Sequence, residues 1–299
     1  MMYDIMIIGA GPAGISAGIY AVSRGKKTVI LEQNEVGGLI GKVSTVTHYA
    51  SVAEAESGKM FARRLEAQAK NAGVEIVKAK VTKAELTGEV KQLHTAQGVF
   101  SGRRVILANG TSPRKLGIPG EAELAGKGMS MNAARDAEAY QGKSVYVVGG
   151  ADGAVKEALY LSKYAAKVTI IHFEPQLGCI AEFREKVSKT PNIVLHLNAR
   201  LHGVYGVDRV ESLEIADENT GAIETVEDPG CGIFVYAGTT PNTELYGQLA
   251  LKDGFICVNE KMETSESGVY AAGDICVKQV RQISTAVADG TIAAINAAM

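Results

Sequence analysis

The first chemistry in this chain lies in three glycines and a glutamate. In "IIGAGPAG" (residues 7–14), Gly9, Gly11 and Gly14 make a complete G-x-G-x-x-G. Gly9 suits a tight turn, Gly11 lets the backbone approach a pyrophosphate, and Gly14 lets the following helix sit close to the preceding strand. The helix N-terminus then faces the phosphate charge. Glu32, about 18 residues beyond Gly14, is placed to accept hydrogen bonds from ribose hydroxyls. A second stretch, "VVGGADGA" (147–154), repeats the turn with alanine in two of the glycine positions. The methyl of Ala151 stands where the backbone would meet a pyrophosphate.

Each turn sits between an apolar strand-like run and a helix-like run. "YDIMIIG", "GPAGISAGIYAVSRG" and "KTVILEQ" read as strand, helix and strand, with Ile15, Ile19 and Val22 on one helix side. "KSVYVVG", "GAVKEALYLSKYAA" and "KVTIIHF" repeat that plan about 140 residues downstream, an internal repeat of two βαβ units. Residues 74–107 alternate in a way that predicts an antiparallel meander returning to a buried strand at 104–108. "NIVLHLNARLHGVYG" and "VESLEIAD" predict a second meander. Two Gly- and Pro-containing stretches, "GTSPRKLGIPGE" and "DPGCGIFVYAGTTPNTE", read as crossings between domains. The chain is therefore expected to leave a first domain (1–112), build a second (113–233), and return at 234–299.

The chain has 299 residues, of which 46% are hydrophobic and 21% charged, with a formal net charge of −2. That suits two domains with sizeable cores and gives no electrostatic reason to expect a nucleic-acid or anionic membrane partner. The N-terminal run carries Asp4 and a glycine turn rather than a basic leader, and no apolar stretch approaches the roughly 18 residues of a membrane span. A cytoplasmic protein is expected. Cys179, Cys231, Cys257 and Cys276 lie far apart, with no C-x-x-C and no metal-ligand spacing.

The two-fold plan, with "GVYAAGD" near the end, resembles the low-molecular-weight thioredoxin reductases of the FAD-dependent pyridine nucleotide–disulfide oxidoreductase group. The resemblance spans essentially the whole chain and rests on "IIGAGPAG", "VGGLI", "VILANGTSPRKLGIPGE", "AGTTPNTEL", "DGFICVNEKMETSESGVYAAGD" and "RQISTAVADG". It implies an α/β fold of two Rossmann-like FAD/NAD(P)-binding domains of the three-layer ββα type, the second inserted in the first, and a homodimer. For the flavin it implies Gly9, Gly11, Pro12, Ala13 and Gly14 at the pyrophosphate and Glu32 at the adenosine ribose. Gly38, Leu39, Ile40, Val81, Ala108, Asn109 and Gly110 would line the approach. Gly273 and Asp274 would meet the ribityl or pyrophosphate, and Arg281, Gln282, Ile283 and Ala286 the ring edge. A helix starting near Gln282 would aim its positive end at the ring, favouring reduced flavin. Asn109 and His48 depart from the family's usual threonine and asparagine.

For the second nucleotide the resemblance points to Gly149, Gly150, Asp152, Gly153, Ala154 and Glu174. The family's H-R-R-x-x-x-R run, which clamps a 2′-phosphate, reads "HFEPQLG" here, with Glu174 in place of one arginine. A carboxylate there repels a 2′-phosphate and can accept from a free 2′-hydroxyl, so NADPH is disfavoured. NADH use and no nicotinamide at all both stay open, the latter with a ferredoxin-like electron donor. The family's C-x-x-C positions carry Asn132 and Arg135, so the usual dithiol relay is absent. Asp136 remains at the position of the family's acid and reads as a helix N-cap or a surface acid. Arg135 reads either as a cation for reduced flavin or an acidic acceptor, or as a solvated side chain. The catalytic candidates are thus Arg135, Asp136 and His48. The function expected is an FAD-dependent oxidoreductase without its dithiol. The alternatives are a disulfide reductase using Cys179 or Cys276, with Cys179 expected to be exposed, and a non-catalytic FAD-binding sensor or partner-binding module.

Overall fold

A computed structural model describes residues 2–52 and 54–299. The chain forms two compact units, one built from residues up to Ser112 together with Thr240–Met299, the other from Pro113–Thr239. The first unit opens with β1 (Met2–Ile8), α1 (Pro12–Val22) and β2 (Thr28–Glu32), followed by α2 (Gly58–Asn71), β3 (Glu75–Lys78), β4 (Val81–Glu85), β5 (Lys91–Thr95) and β6 (Gly98–Leu107). β7 (Thr111–Pro113) leads out. The second unit comprises β8 (Met129–Ser130), α3 (Ala133–Asp136), β9 (Ser144–Val148), α4 (Asp152–Leu161), β10 (Lys167–His172), α5 (Ala181–Ser188), β11 (Ile193–Leu197), β12 (Ala199–Tyr205), β13 (Ser212–Asp217), β14 (Ile223–Glu227) and β15 (Gly232–Val235). β16 (Thr239–Pro241) leads back to β17 (Leu251–Lys252), β18 (Phe255–Ile256), β19 (Val269–Ala271) and α6 (Ile283–Ala297).

In the first unit β3, β2, β1, β6 and β19 run parallel, while β4 and β5 join the N-terminal half of β6 as an antiparallel ribbon. Side chains alternate along β1, so its two faces belong to different cores. Ile5 and Ile7 pack with the helix layer of α1 and α6, and Met6 and Ile8 pack toward Leu93 and Tyr246. Each such fully buried aliphatic side chain contributes about 1.5–3 kcal/mol. The second unit repeats the plan. β11, β10, β9, β15 and β8 are parallel, and β12–β14 form a separate antiparallel sheet. Val145 and Val147 of β9 face the α4–α5 layer, and Tyr146 and Val148 face that sheet.

Two expectations change. The return to the first unit comes at Thr240, not 234, because Phe234 and Val235 are ladder partners of Val147 and Val148 in the second unit's parallel sheet. The meander begins at β4, not at residue 74: β3 pairs parallel with β2, since the helix α2 carries the chain back over the sheet before β3 is added. The C-terminal helix starts at Ile283 with Gln282 as its N-cap. Among the described residues, no helix is long and apolar enough to cross a membrane.

Candidate functional site

The first glycine turn is built as its residue types require. Gly9 has φ +98°, where a side chain is strained, and a Cβ there would lie 2.6 Å from the Ala108 carbonyl oxygen and 2.8 Å from the Asn109 Cα. A Cβ on Gly14 would lie 1.9 Å from the Gly9 carbonyl oxygen. Gly11, the N-cap of α1, is different: a Cβ there would meet nothing within 4 Å, so its open space is room for a ligand. Pro12 starts the helix and no acid lies in the first turn.

Around this turn the structure gathers residues from both ends of the chain. Gly38, at φ +59° in a short 3-10 turn with Leu39 and Ile40, approaches Gly11, and Gly37 donates its N–H to the Ala10 carbonyl at 2.8 Å. Gly273 packs against Ala13 and Ala286, where a Cβ would lie 2.9 and 3.8 Å from their methyls. Asp274 follows. Its Oδ1 is buried and has no protein partner, and burial pushes its carboxyl above the ordinary range against the pull of Lys278 and Arg281. An orphaned acceptor beside an open glycine cradle fits a hydroxyl-bearing phosphate ligand such as FAD.

Other expected residues have partners that modify their reading. Glu32, read as a ribose acceptor, is buried and braces the turn: Oε2 accepts from the Ala10 N–H at 2.7 Å and Oε1 from the Asn34 N–H at 2.8 Å. Arg281, expected at the ring edge, directs its guanidinium at the carbonyls of Asp274, Cys276 and Lys278 and stacks 4.1 Å from the Phe255 ring centroid. It holds the 274–281 loop. Val81 is buried in the core at the start of β4. His48 is exposed, with Nδ1 2.9 Å from the Thr47 hydroxyl. Asn109 is tied to Asn242 by reciprocal amide bonds, Asn109 Nδ2 to the Asn242 carbonyl at 2.9 Å and Asn242 Nδ2 to the Asn109 carbonyl at 2.7 Å. The buried Tyr246 hydroxyl donates to Asn109 Oδ1 at 3.0 Å, and Gly110 accepts from the Asn242 N–H at 3.1 Å.

Sequence reasoning missed Asn242, Tyr246, Lys278 and Asp289. Gly273 donates its N–H to Asp289 Oδ2 at 3.0 Å, and Lys278 forms an ion pair with the same carboxylate. Asn242 and Asp289 stood inside blocks quoted for the resemblance, but only the fold shows what their side chains hold.

In the second unit Asn132 is the N-cap of α3, its Oδ1 accepting from the Arg135 N–H at 3.0 Å. Arg135 is 67% exposed, yet its guanidinium is bidentate on Asp136, at 2.6 and 2.7 Å. Asp136 also accepts from the Ser130 hydroxyl at 2.5 Å. Its side chain caps no helix; the Arg135 guanidinium first, then Ser130, holds the carboxyl below its ordinary range against burial, so it stays ionised. It is an ion-pair acid, half-buried, rather than a cap or a proton donor. Cys179, expected to be exposed, is buried in the core beside Leu177 and Phe183, and burial pushes its thiol up. Burial pushes Cys231 and Cys276 up to about 12. Such thiols are poor nucleophiles, which counts against disulfide chemistry at Cys179 or Cys276.

The second glycine turn keeps the backbone of the first. Gly149 has φ +129°, and Ala151, the N-cap of α4, has φ −82° and ψ 174° against −73° and −178° at Gly11. Gly150 lies under the His172 ring, where a Cβ would be 2.4 Å from the nearest ring carbon, and Ala154 is buried. Asp152 accepts from the Ile180 N–H at 2.8 Å, Gly153 is open, and Glu174 meets His172 Nε2 at 3.1 Å.

Residues 3–290 match the model of the pyridine nucleotide-disulphide oxidoreductase family. This chain belongs to that family. It is 39% identical over 302 aligned positions to the thioredoxin reductase of Peptoclostridium acidaminophilum, covering 99% of this chain and 96% of that protein. It is 32% identical to the crystal structure of the Lactococcus lactis thioredoxin reductase, with a TM-score of 0.94 over 99% of this chain and 97% of that one. A ferredoxin-flavin thioredoxin reductase from Clostridium acetobutylicum is 29% identical, with a TM-score of 0.54 over 99% and 97%. The chain is a thioredoxin-reductase-like oxidoreductase of an FAD-using family.

Proposed function

We propose that this family member moves electrons through FAD without a protein disulfide. One observation carries the reading: the Arg135–Asp136–Ser130 cluster and the Asn132 cap fill the space in sequence where the relay dithiol would lie. When bound, FAD supplies the electron carrier. Gly9, Gly11 and Gly14 would hold its pyrophosphate, with the first turn of α1 giving N–H donors and Ala13 lying against Gly273. Asp274 would accept from a hydroxyl through its unpartnered Oδ1. Lys278 and Asp289 fix Gly273 beside it, and Arg281 holds the loop between. Ala108 to Gly110, pinned by Asn242 and Tyr246, would form the fixed wall behind the turn.

NADH is the donor this reading favours, because Glu174 accepts from hydroxyls and repels a 2′-phosphate. A ferredoxin-like protein donor is the second reading. The Ala151 methyl and the Asp152 carboxylate in the α4 cradle favour it, as does the likeness to a ferredoxin-flavin enzyme. Two copies in solution are part of the proposal.

The test mixes the anaerobic, FAD-loaded protein with NADH, NADPH or reduced ferredoxin and follows the flavin absorbance. Bleaching by NADH or ferredoxin is expected, unchanged when all four cysteines are replaced by alanine. Bleaching by NADPH alone overturns the donor assignment, and loss of multiple turnover in the cysteine-free, folded protein overturns the disulfide-free route.

A further inference from the structure

The loop after β10 has an arrangement the sequence does not show. Phe173 stands where the resemblance puts one of the clamp's two arginines, and it is 45% exposed, unusual for a phenylalanine. Over its ring, 4.4 Å from the centroid, lies the guanidinium of Arg200, a residue of a different strand. Arg200 is fixed in turn by Glu218, Nε to Oε1 at 2.8 Å. The two segments are fastened together, since Asn198 donates its N–H to the Glu174 carbonyl at 3.2 Å and Glu218 donates its own to the Asn198 carbonyl at 2.7 Å.

Beside this stack is Glu174, whose side chain is 50% exposed. The His172 ring under it is 5% exposed, and its Nδ1 is buried without a partner. Nε2 of this buried ring lies 3.1 Å from Glu174 Oε2 and anchors the carboxylate. The anchored carboxylate is half exposed, so it keeps acceptor capacity on its open side. A planar aromatic–guanidinium pair next to an anchored acceptor matches a purine nucleoside: the base stacks and the ribose hydroxyls donate.

We propose that Phe173 and Arg200 form a stacking platform for the adenine of a dinucleotide whose 2′-hydroxyl is free, with Glu174 as the ribose acceptor. The inference rests on the NADH reading above and assigns its specificity to these residues. The clamp of two adjacent arginines is replaced by one arginine brought from β12, which contributes through its flat face rather than by pairing with a phosphate. Recognition then lies mainly at the adenosine end, because Ala151 keeps the pyrophosphate farther from the turn.

Calorimetric titration of the FAD-loaded protein with NAD+, NADP+ and ADP tests this. NAD+ is expected to bind at least about tenfold more tightly than NADP+. Phe173→Ala and Arg200→Ala are each expected to weaken NAD+ and ADP about fivefold, while Arg200→Lys, which keeps the charge and loses the plane, weakens them nearly as much. Glu174→Gln is expected to narrow the gap between NAD+ and NADP+. The proposal is overturned if NADP+ binds as tightly as NAD+, if the Phe173 and Arg200 variants retain the parent affinity while melting like the parent, or if no adenine nucleotide binds. In the last case, retained flavin together with bleaching by reduced ferredoxin would leave the disulfide-free route standing; failure to hold flavin would remove both.

Discussion

The two glycine turns share a backbone and differ in what a ligand would touch. Both open at a left-handed glycine, Gly9 or Gly149, and both begin their helix from an extended N-cap. At the N-cap the first has Gly11 and the second Ala151, so the second turn loses room without gaining strain. The first turn of α1 has no acid, whereas α4 starts on Asp152, whose carboxylate opposes an approaching phosphate. The first also has an unsatisfied carboxylate oxygen, on Asp274, in the strand-to-helix loop packed against it. A fold can therefore keep the conformation of a nucleotide cradle while side chains alone change its chemistry.

The sharpest way to break that comparison is at the helix–strand contact. Gly14→Ala is expected to cost about 3 kcal/mol and to abolish flavin retention, since its methyl meets the Gly9 carbonyl. Ala154→Gly, at the same place in the second turn, is expected to cost only about 1 kcal/mol. Denaturant melts and flavin content measure both; equal effects would contradict the asymmetry.

Next is Asp274. Its folded carboxyl lies above the ordinary 3.8, so the stability it contributes is present at low pH and is lost as pH rises from 3.8 through the raised value. Asp274→Asn is expected to raise the melting temperature of the flavin-free protein by about 2 °C at pH 7. It is expected to weaken FAD about tenfold, through loss of the charged acceptor. Thermal melts and flavin-release fluorescence would show the two effects moving in opposite directions.

In the second unit the sign reverses. Asp136 is held below 3.8, so its pairing stabilises above that pH and is lost as pH falls through the lowered value. Arg135 is mostly exposed, which limits the effect: Asp136→Ala is expected to cost about 1 kcal/mol at pH 7 and nothing in strong acid. Melts between pH 2 and 7 would separate this from loss of packing. The smallest effect belongs to Ala151→Gly. It is expected to leave stability within about 0.5–1 kcal/mol and to tighten NAD+ and ADP about threefold while leaving adenosine unchanged.

The strands, the glycine turns and the helix beginning at Ile283 were legible because apolar periodicity and backbone-demanding glycines are local signals. The return point was six residues off because Phe234 and Val235 look like either domain's strand until a ladder partner is known. The partners of Glu32, Arg281 and Asp136 were not legible, since they are backbone groups or neighbours that spacing does not specify. Phe173 and Arg200 were invisible as a pair: they are brought together by Asn198, at φ +51°, turning the chain between β11 and β12.

The reciprocal amide bonds between Asn109 and Asn242 lie close to the point where the first unit is interrupted. With Tyr246 donating into the same cluster and β19 laddered onto β6, the severed halves are clasped at the cut itself. Such a seam makes the interruption a tolerant graft point. The cut is held from one side only, by Asn109, Asn242, Tyr246, β6 and β19, all parts of the first unit.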